Sequence, residues 1–416
     1  MKQRYDSYKP SGIDWIGEIP SHWETLPLKR NLEEPLMYGA NEPAESENID
    51  FPRYIRITDI DSNGNLRNET FKSLEPSKAQ EYLLKEGDVL FARSGATVGK
   101  TYIFKESYPA CFAGYLIKAT CSKALLPKFL FYYTLSGHYD NWKNSIFIQS
   151  TIQNIGADKY SLLPIPIPPY AEQEAIATWL DEKCSEIDAA IAKVDREIEL
   201  IDELKQSEIS RVVTRGLNPD VPLKQSGIDW IGEVPEHWEI LKVKYLVRFS
   251  SGDTITSEQF IDTAEYPVYG ANGYRGRFDK FNYSGERILI GRVGALCGNV
   301  HYTNERIWCS EHALISSKVL GGQEFDYGWL CLLFESMNLN QYGGGSAQPV
   351  IASSTIENLS IIFPPLTEQQ SIADYLDKKC GEIDGLKEKL VKKRETLKEL
   401  RQSIISEVVT GKRKVI

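Results

Sequence analysis

Apolar residues recur every seven positions in two long stretches of the chain. In the first stretch, a run of more than forty residues without glycine or proline, they are Leu180, Ile187, Val194 and Ile201. In the second stretch they are Leu376, Ile383, Leu390, Leu397 and Ile404. Further apolar residues stand four positions on in the first stretch (Cys184, Ile191, Ile198) and three positions on in the second (Leu386, Leu400). This pattern predicts two long helices in coiled-coil packing, each about 65 Å long at 1.5 Å per residue.

The partner of each helix follows from their shared period and length. The simplest arrangement pairs each helix with the other. The alternative is two ordinary amphipathic helices, each lying on its own domain. That alternative would leave about half of so long a rod extending beyond a domain of about 130 residues.

The chain is an internal duplication. Residues 11–24 (SGIDWIGEIPSHWE) match residues 226–239 (SGIDWIGEVPEHWE) at twelve of fourteen positions. Residues 168–188 match residues 364–384 at 13 of 21 positions and share the signature P-P-x-x-E-Q-x-x-I-A-x-x-L-D. Each repeat is about 200 residues long, so the pattern indicates two copies of one unit and not a solenoid.

Between these repeats lie two variable blocks that share little sequence. One motif survives in both, R-x-G-A-x-x-G, at residues 93–99 and 292–298, and each copy follows a short apolar run that predicts a buried strand. Short β-branched and aromatic stretches, turns and modest helical segments predict mixed α/β domains, and hence an α+β fold. The predicted segments are a leader at 1–24, the first block at 25–165, the first helix region at 166–224, a second leader at 225–239, the second block at 240–362 and the second helix region at 363–416.

The net charge is distributed unevenly among the predicted segments. The whole chain of 416 residues has a net charge of −10, which by itself speaks against a nucleic-acid partner. The acidity lies mainly on the first helix region (−6) and the second leader (−4), whereas the two variable blocks carry 0 and −2. The second helix region carries +3, which suits pairing with the acidic first helix. The balance therefore does not exclude DNA, and it predicts a protein that binds DNA poorly alone.

Location and metal binding can be judged from the apolar runs and the cysteines. No apolar run approaches the roughly 20 residues of a membrane span, and the N-terminal residues show no secretory signal. Seven scattered cysteines without a C-x-x-C motif suit a reducing cytoplasm. Cys297, His301, Cys309 and His312 could supply four soft ligands, but their spacing matches no zinc-finger pattern and the first repeat lacks them. We therefore expect no metal and a cytoplasmic location.

Some segments resemble catalytic motifs but depart from them at required positions or spacings. Residues 95–101 (GATVGKT) resemble a P-loop but have three residues between the glycines where four are needed, and the second repeat replaces the Lys-Thr pair. Residues 168–170 (PPY) resemble part of an adenine methyltransferase motif, but Ile167 occupies the position of its essential Asp or Asn. Residues 203–205 (ELK) lie in a predicted helix and are most simply a solvated face. The sequence thus predicts a non-catalytic binding or positioning protein.

The arrangement as a whole resembles the specificity subunit of type I restriction–modification systems. The resemblance rests on the two leaders, W-I-G-E-(I/V)-P-x-H-W-E, and on the doubled P-P-x-x-E-Q-x-x-I-A signature, and it covers essentially the whole chain. It implies two target-recognition domains joined by two long helices that form an antiparallel coiled coil with pseudo-twofold symmetry. It also implies a bipartite, asymmetric DNA site, with one half read by each domain and the coiled coil setting the spacer.

The candidate DNA-contacting residues are polar or basic side chains on predicted loops and strand ends. Asparagine can pair with adenine and arginine with guanine, while glycines let main chain approach a phosphate. For any one of them a structural role, such as a salt bridge or a turn cap, is an equal alternative. The candidates are Arg56, Thr58, Arg93, Ser94, Lys100, Ser150 and Gln153 in the first block, and Asn272, Tyr274, Arg275, Arg292, Ser346 and Gln348 in the second.

The resemblance also implies partners and a division of labour. Two methyltransferase subunits would dock on the repeated segments, and restriction/translocase subunits would join for cleavage. S-adenosylmethionine, ATP and magnesium are then expected on those partners, with no cofactor on this chain. The candidate partner-binding residues are Trp15, Trp23, Glu172, Gln173, Trp230, Trp238, Glu368 and Gln369.

A different class of function fits the repeats and heptads equally well. The chain would then be a scaffold or adaptor with two protein-binding domains on a coiled coil and no DNA partner. Salt dependence distinguishes the two, because the affinity of a DNA reader falls steeply with salt, whereas the affinity of an apolar adaptor need not.

Overall fold

The computed structural model describes residues 3–61, 64–95, 97–147, 153–344 and 349–415. The chain forms two compact units: unit 1 comprises Met1–Asp195 and Lys392–Ile416, and unit 2 comprises Arg196–Val391. Each unit therefore contains a leader, a variable block and part of each long helix. None of the helices in these described ranges is long and apolar enough to cross a membrane.

The described part of unit 1 has short strands and four short helices before the first long helix. The strands are β1 (Tyr8–Pro10), β2 (Glu18–Pro20), β3 (Glu24–Pro27), β4 (Met37–Tyr38), β5 (Arg53–Ile55), β6 (Val89–Ala92), β7 (Thr101–Ile103), β8 (Ala110–Phe112), β9 (Leu116–Ala119) and β10 (Pro164–Ile167). The helices are α1 (Pro76–Ala79), α2 (Pro127–Thr134), α3 (Gly137–Phe147), α4 (Ala157–Ser161) and the long α5 (Tyr170–Arg215), which ends in unit 2. Short 3₁₀ helices cover Leu28–Asn31, Ile57–Asp59 and Gln80–Tyr82.

Unit 2 follows a similar order, with one more strand and fewer short helices among its described residues. Its strands are β11 (Leu223–Gln225), β12 (Glu233–Pro235), β13 (Glu239–Lys242), β14 (Val247–Ser251), β15 (Tyr266–Gly270), β16 (Gly273–Phe278), β17 (Arg287–Gly291), β18 (Val300–Thr303), β19 (Trp308–Cys309), β20 (Ala313–Lys318) and β21 (Ser360–Phe363). The helices are α6 (Tyr327–Ser336), α7 (Ser353–Glu357) and the long α8 (Leu366–Val409), which ends in unit 1. Short 3₁₀ helices cover Val243–Tyr245, Ser257–Gln259 and Leu339–Tyr342.

The sheets of the two units have the same topology. A four-stranded sheet has the order β4-β9-β6-β7 in unit 1 and β14-β20-β17-β18 in unit 2, with antiparallel neighbours in both. A parallel pair, β5 with β8 or β15 with β19, accompanies each sheet, and unit 2 adds β16 as a hairpin partner of β15. The duplication therefore extends into the variable blocks. The predicted α+β class and the two long helices are confirmed.

Each unit has one main core that joins leader, sheet and both long helices. In unit 1 this core contains Trp23 from the leader, Phe91 from β6, Leu180 from α5 and Val408 from α8. In unit 2 it contains Trp238 from the second leader, with Ile288, Val212 and Leu376 in the equivalent elements. Because both tryptophans are fully buried, each leader is an internal part of its unit.

Within each unit the two long helices run antiparallel. In unit 1, Arg401 Nε lies 2.9 Å from Asp188 Oδ1, and Arg394 Nη1 lies 3.2 Å from Asp195 Oδ1. Seven residues forward on α5 thus corresponds to seven residues back on α8. In unit 2 the ion pairs Lys387–Asp202 and Lys205–Asp384 follow the same direction, at 2.6 and 2.7 Å. The predicted pairing of the helices is confirmed, and the alternative of two separate amphipathic helices is not what the chain adopts.

The face of α8 that contacts α5, here called the seam, differs from the prediction at the positions three residues after the heptad positions. Leu376 and Ile383 are buried as expected, but Leu386 and Leu400, three positions on from heptad residues, are about half exposed. The positions four on are instead occupied by Lys387, Arg394 and Arg401, whose cationic groups pair with the aspartates of α5. The acidic α5 attracts these cations, so charge and not apolarity determines this edge of the seam.

The ion pair between Asp188 and Arg401 is expected to show measurable coupling. Arg401 is 18% exposed at its side chain, so the pair is screened less than a surface pair. A double-mutant cycle with alanine at both positions should give a coupling free energy of about 1 kcal/mol in denaturant unfolding. The control is the cycle at Glu395 and Lys398, whose side chains are about half exposed. Equal coupling in the two cycles would contradict the seam described above.

Candidate nucleic-acid interface

The motif R-x-G-A-x-x-G forms the same closed turn in both units. We call residues 93–99 and 292–298 the arginine turns, and they follow β6 and β17. In unit 2, Gly291 N donates to Asn299 O at 2.7 Å and Gly298 N donates to Gly291 O at 2.8 Å. Unit 1 has the two equivalent bonds at 2.8 and 2.9 Å. These hydrogen bonds join main-chain groups, so the main chain itself closes the turn.

The two glycines of each turn have different structural roles. The first, Gly95 or Gly294, has a φ of +79° or +86°, and no described atom lies within 4 Å of where a Cβ would stand. The second, Gly99 or Gly298, has a φ of +83° or +91°. A Cβ on Gly298 would lie 2.3 Å from the main-chain nitrogen of Asn340. Packing against main chain thus requires glycine at 298, whereas the first glycine of each turn leaves open main chain that a partner can approach.

The described ends of two loops, residues 153–154 and 349–350, lie beside the arginine turns. Ser94 pairs with Asn154 in an antiparallel bridge, and Val293 pairs with Val350 in the equivalent place. Gln153, next to the first bridge, is exposed. Three further candidates from these loops, Ser150, Ser346 and Gln348, lie outside the described residues. The structure therefore brings Arg93, Ser94 and Gln153 together at one edge of unit 1, beside the end of β6.

A third segment meets each arginine turn from the other side. In unit 2 it is the tip of the β15–β16 hairpin, where Asn299 Nδ2 donates to Asn272 Oδ1 at 3.3 Å. In unit 1 a cavity of about 240 Å³ is lined by both Gly64 and Lys100, and Lys100 occupies the position equivalent to Asn299. Asn272 therefore lies beside the second arginine turn, and Lys100 directly follows the first turn in the position that Asn299 has after the second.

The hairpin of unit 2 also carries Tyr274 and Arg275. Tyr274 is 59% exposed, and Arg275 is exposed with its Cζ 5.6 Å above the ring of Phe260. A guanidinium on an aromatic face keeps its N–H groups free for a second partner. Both side chains are therefore available for contact with a ligand.

The structure gives Arg56 and Thr58 a local role. Arg56 donates from Nε and Nη2 to the carboxylate of Asp59, at 3.1 and 2.8 Å, and from Nη2 to Thr70 O at 2.7 Å. Thr58 Oγ1 donates to the same carboxylate at 3.4 Å. Because Asp59 is almost fully buried, its charge needs these donors. These bonds occupy Nε and Nη2 of Arg56 inside unit 1, and a base contact through the rest of the guanidinium or through Thr58 stays a prediction.

The repeated Glu-Gln signature clamps each unit from inside. Glu172 Oε2 accepts from Trp23 Nε1 at 3.1 Å, and His22 Nε2 lies 2.9 Å from the same oxygen. Gln173 Oε1 accepts from Leu126 N at 2.8 Å, which ties the start of α5 to the start of α2. Glu and Gln at the start of the long helix thus hold the leader on one side and the variable block on the other.

Unit 2 uses the same clamp. Glu368 Oε2 accepts from Trp238 Nε1 at 3.0 Å, and Gln369 Oε1 accepts from Asp326 N at 2.9 Å. Four of the residues predicted to bind partners are therefore fully buried: Trp23, Gln173, Trp238 and Gln369. Their side chains serve the frame of the unit, and this corrects the prediction of a direct partner contact at these positions.

The remaining partner-binding candidates are less enclosed. Trp15 and Trp230 are half-buried, and both pack against the main core of their unit. The carbonyl oxygen of Trp15 lies 2.7 Å from Nδ1 of His138. These tryptophans still present part of their surface, so a partner contact through them stays a prediction.

Three residues beside the arginines are not themselves among the candidates from the sequence. The Cζ of Arg93 lies 4.9 Å above the ring of Tyr38, and Arg292 Nη1 donates to Ser251 Oγ at 2.7 Å. Tyr38 and Ser251 end β4 and β14. Asn299 is the third, although its position directly follows the last glycine of the motif in both repeats. That shared position was a usable signal, whereas no sequence similarity marks Tyr38 and Ser251 as equivalent.

The four soft side chains considered for a metal have other surroundings. Burial raises the pKa of the Cys309 thiol to about 12 and lowers the pKa of His301. Nδ1 of His312 lies 3.3 Å from a carboxylate oxygen of Glu311. Across the described ranges, no group of three or more His, Cys, Asp or Glu side chains is placed to hold a metal ion. The seven cysteines are free thiols.

Comparison with known proteins places this geometry in a family. The chain is 28% identical over 367 residues to the type I restriction enzyme EcoprrI specificity subunit of Escherichia coli, covering 85% of this chain and 87% of that protein. It is 26% identical over 432 residues to the putative type I restriction enzyme MjaX specificity subunit of Methanocaldococcus jannaschii, covering 96% of each.

Solved structures share the fold. A chain from a solved type I R-M system has a TM-score of 0.75 at 17% identity, covering 94% of this chain and 99% of that one. The HsdS subunit of Thermoanaerobacter tengcongensis has a TM-score of 0.53, also at 17% identity, covering 94% and 98%. The family model described as "Type I restriction modification DNA specificity domain" matches residues 29–200 and 235–392, one copy in each repeat. The chain belongs to the type I restriction–modification DNA specificity domain family.

Proposed function

We propose that this chain is the DNA sequence-specificity subunit of a type I restriction–modification complex. It recognises a bipartite, asymmetric DNA site, with one half read by each unit. The observation that carries this proposal is the pair of arginine turns: two units of one topology present the same motif beside different side chains. A common frame with different neighbours suits a site whose halves have different sequences.

The chemistry of each turn suits duplex DNA. An arginine can form a bidentate contact with guanine or a phosphate, and the open main chain at Gly95 and Gly294 lets a phosphate come close. The variable blocks have net charges of only 0 and −2. Non-specific attraction to DNA is therefore weak on this chain, and the partners supply much of the grip.

The long helices are the proposed ruler between the half-sites. Each is a single helix of 46 or 44 residues, so each is about 65–70 Å long. Ion pairs along the seam oppose sliding of one helix against the other in both units. A rigid pair of this kind would set the length of the unspecified spacer.

The proposed partners are double-stranded DNA, two adenine-methyltransferase subunits and the restriction/translocase subunits of the same system. Adenine methylation requires the base to leave the stack, so the catalytic pocket belongs on the methyltransferase while this chain holds the register. S-adenosylmethionine, ATP and magnesium would bind those partners. The proposed chain is itself non-catalytic and works in the cytoplasm.

The methylated sites of a host test this function. The chain is co-expressed with its methyltransferase subunit in a host without adenine methyltransferases, and the genome is sequenced for N6-methyladenine. The expected result is one split motif with two unlike halves, methylated at nearly every occurrence. A strain with the methyltransferase alone is the control and should show no motif. If both strains lack a split motif, the proposal is wrong.

A further inference from the structure

Tyr38 and Ser251 occupy equivalent places at the end of the edge strand in each sheet. Tyr38 pairs with Ile117 across β4 and β9, and Ser251 pairs with Leu314 across β14 and β20. Ile117 and Leu314 in turn pair with the residue two before the arginine in β6 and β17. The two side chains therefore stand at the same distance along the sheet from the arginine that they contact.

The backbone after each of these residues has no freedom to move away. Gly39 and Gly252 follow directly, and each crosses over the end of the parallel strand. A Cβ on Gly39 would lie 2.4 Å from the carbonyl oxygens of Phe112 and Ala113, and one on Gly252 would lie 2.1 Å from Cys309 O. Only glycine permits this approach, so the end of the edge strand is fixed beside the arginine.

The main chain of each arginine is also fixed on both sides. Arg93 N donates to Tyr115 O at 3.0 Å, and Arg93 O accepts from Ile155 N at 2.8 Å. Arg292 has the equivalent bonds to His312 O and from Ile351 N, both at 2.9 Å. Only the arginine side chain can therefore change conformation. Its long aliphatic part can adopt many rotamers unless a neighbouring group restrains it.

The two units hold that side chain by different chemistry. In unit 1 the Tyr38 ring lies under the guanidinium, and Ala157 N donates to the Tyr38 hydroxyl at 2.9 Å, so the ring is itself anchored. In unit 2 the Ser251 hydroxyl accepts from Arg292 Nη1 at 2.7 Å. A ring fixes the plane of the guanidinium, whereas a hydroxyl fixes one of its edges.

Among the residues that the structure describes, most donors of the two guanidinium groups have no partner. Within the described residues, the Arg93 side chain makes no hydrogen bond or ion pair, and its Nε is buried without a partner. Arg292 uses one donor, to Ser251. An arginine held in place with its donors free is preorganised for a bidentate contact, because the entropy of ordering it has already been lost.

We propose that Tyr38 and Ser251 are positioning residues that set the orientation in which Arg93 and Arg292 meet DNA. The ring in unit 1 and the hydroxyl in unit 2 present the same arginine differently, and this difference contributes to the unlike halves of the site. The inference rests on the proposed function, since it concerns how each unit reads its half.

The test uses the complete complex and the methylated motif of each variant. Tyr38→Ala is expected to lower discrimination at one base pair of the first half about tenfold, within the range of a bidentate arginine contact. The second half should be unchanged. Tyr38→Phe keeps the ring and should retain the motif. Ser251→Ala should relax one base pair of the second half alone, and Ser251→Thr should restore it.

The controls separate positioning from folding. Tyr245→Ala removes an exposed tyrosine from the 3₁₀ helix before β14, away from Ser251, and should leave both halves intact. Tyr38→Ser gives unit 1 the side chain of unit 2, which keeps a hydroxyl without a ring, and should alter the first half while the complex still assembles and methylates the second half. If Tyr38→Ala and Tyr38→Ser both retain the wild-type first half, the positioning role is overturned. If the wild-type chain yields no split motif, the proposed function and this inference both fail.

Discussion

Replacing Gln173 by alanine is expected to lower the free energy of unfolding by about 3 kcal/mol. The side chain is fully buried and makes three hydrogen bonds, all with main chain. Oε1 accepts from Leu126 N, and Nε2 donates to Ala124 O and Pro168 O, at 2.8, 2.9 and 2.9 Å. Alanine leaves all three main-chain groups without a partner, and each costs about 1 kcal/mol or more when buried.

The second repeat supplies both a parallel and a control for this change. Gln369 makes two such bonds, to Asp326 N and Pro364 O, so Gln369→Ala should cost about 2 kcal/mol. The neighbouring Gln370 is exposed, and Gln370→Ala should stay within about 0.5 kcal/mol of the wild type. Denaturant unfolding measures all three, and hydrogen exchange at Leu126 shows where unit 1 opens. A Gln173→Ala variant as stable as Gln370→Ala would contradict the clamp.

This clamp changes how loss of activity in such variants is interpreted. The resemblance to type I specificity subunits implies that partners dock on the repeated segments, and the Glu-Gln pair is a predicted docking surface on that ground. The structure instead directs Glu172 to the leader and Gln173 to the main chain of the variable block. A variant that loses both stability and methylation therefore shows that the contacts holding the unit together are broken. A variant that loses methylation alone points to a partner surface elsewhere.

The long helices could be predicted from the sequence because their signal is local and periodic. The heptad positions Leu180, Val194 and Leu376 are buried as the spacing requires. The error at Leu386 and Leu400 arose because apolarity was the only criterion. The seam on that side follows from charged partners on the other helix, and a pattern within one helix carries no information about them.

The recognition edge was only partly predictable. The arginine turns were found because the motif occurs twice, and a motif retained between otherwise unlike blocks signals a shared task. Tyr38 and Ser251 could not be matched, because a tyrosine and a serine share no pattern and only strand register makes them equivalent. At Arg56 both readings stayed open, because sequence does not distinguish an arginine paired with a buried aspartate three residues on from a free one.

Exchange of residues 25–165 for the same block of another family member is expected to change one half of the DNA site completely. Preference for the original half should fall at least a hundredfold, because each mismatched base pair costs about 1–3 kcal/mol and a half-site holds several. The unit should still assemble, because main-chain atoms of the block make several of its contacts with the rest of unit 1. Gln173 bonds main-chain atoms of the block, and β3 pairs with β10 as a ladder.

A control block is available within the chain itself. Residues 240–362 placed where residues 25–165 stand should make both halves read the same sequence, since the sheets have the same strand order. Side-chain junctions limit the choice of donor block. Tyr132 donates to Asp181 at 2.6 Å, so the donor block should keep a hydroxyl there or be paired with a neutral residue at 181.

Sequencing of N6-methyladenine in the host that carries the 25–165 exchange shows whether each unit reads one half-site. We expect a new first half, the original second half and an unchanged spacer, because unit 2 and both long helices are retained. A motif with both halves changed, or with neither changed, would contradict the assignment of one half-site to each unit.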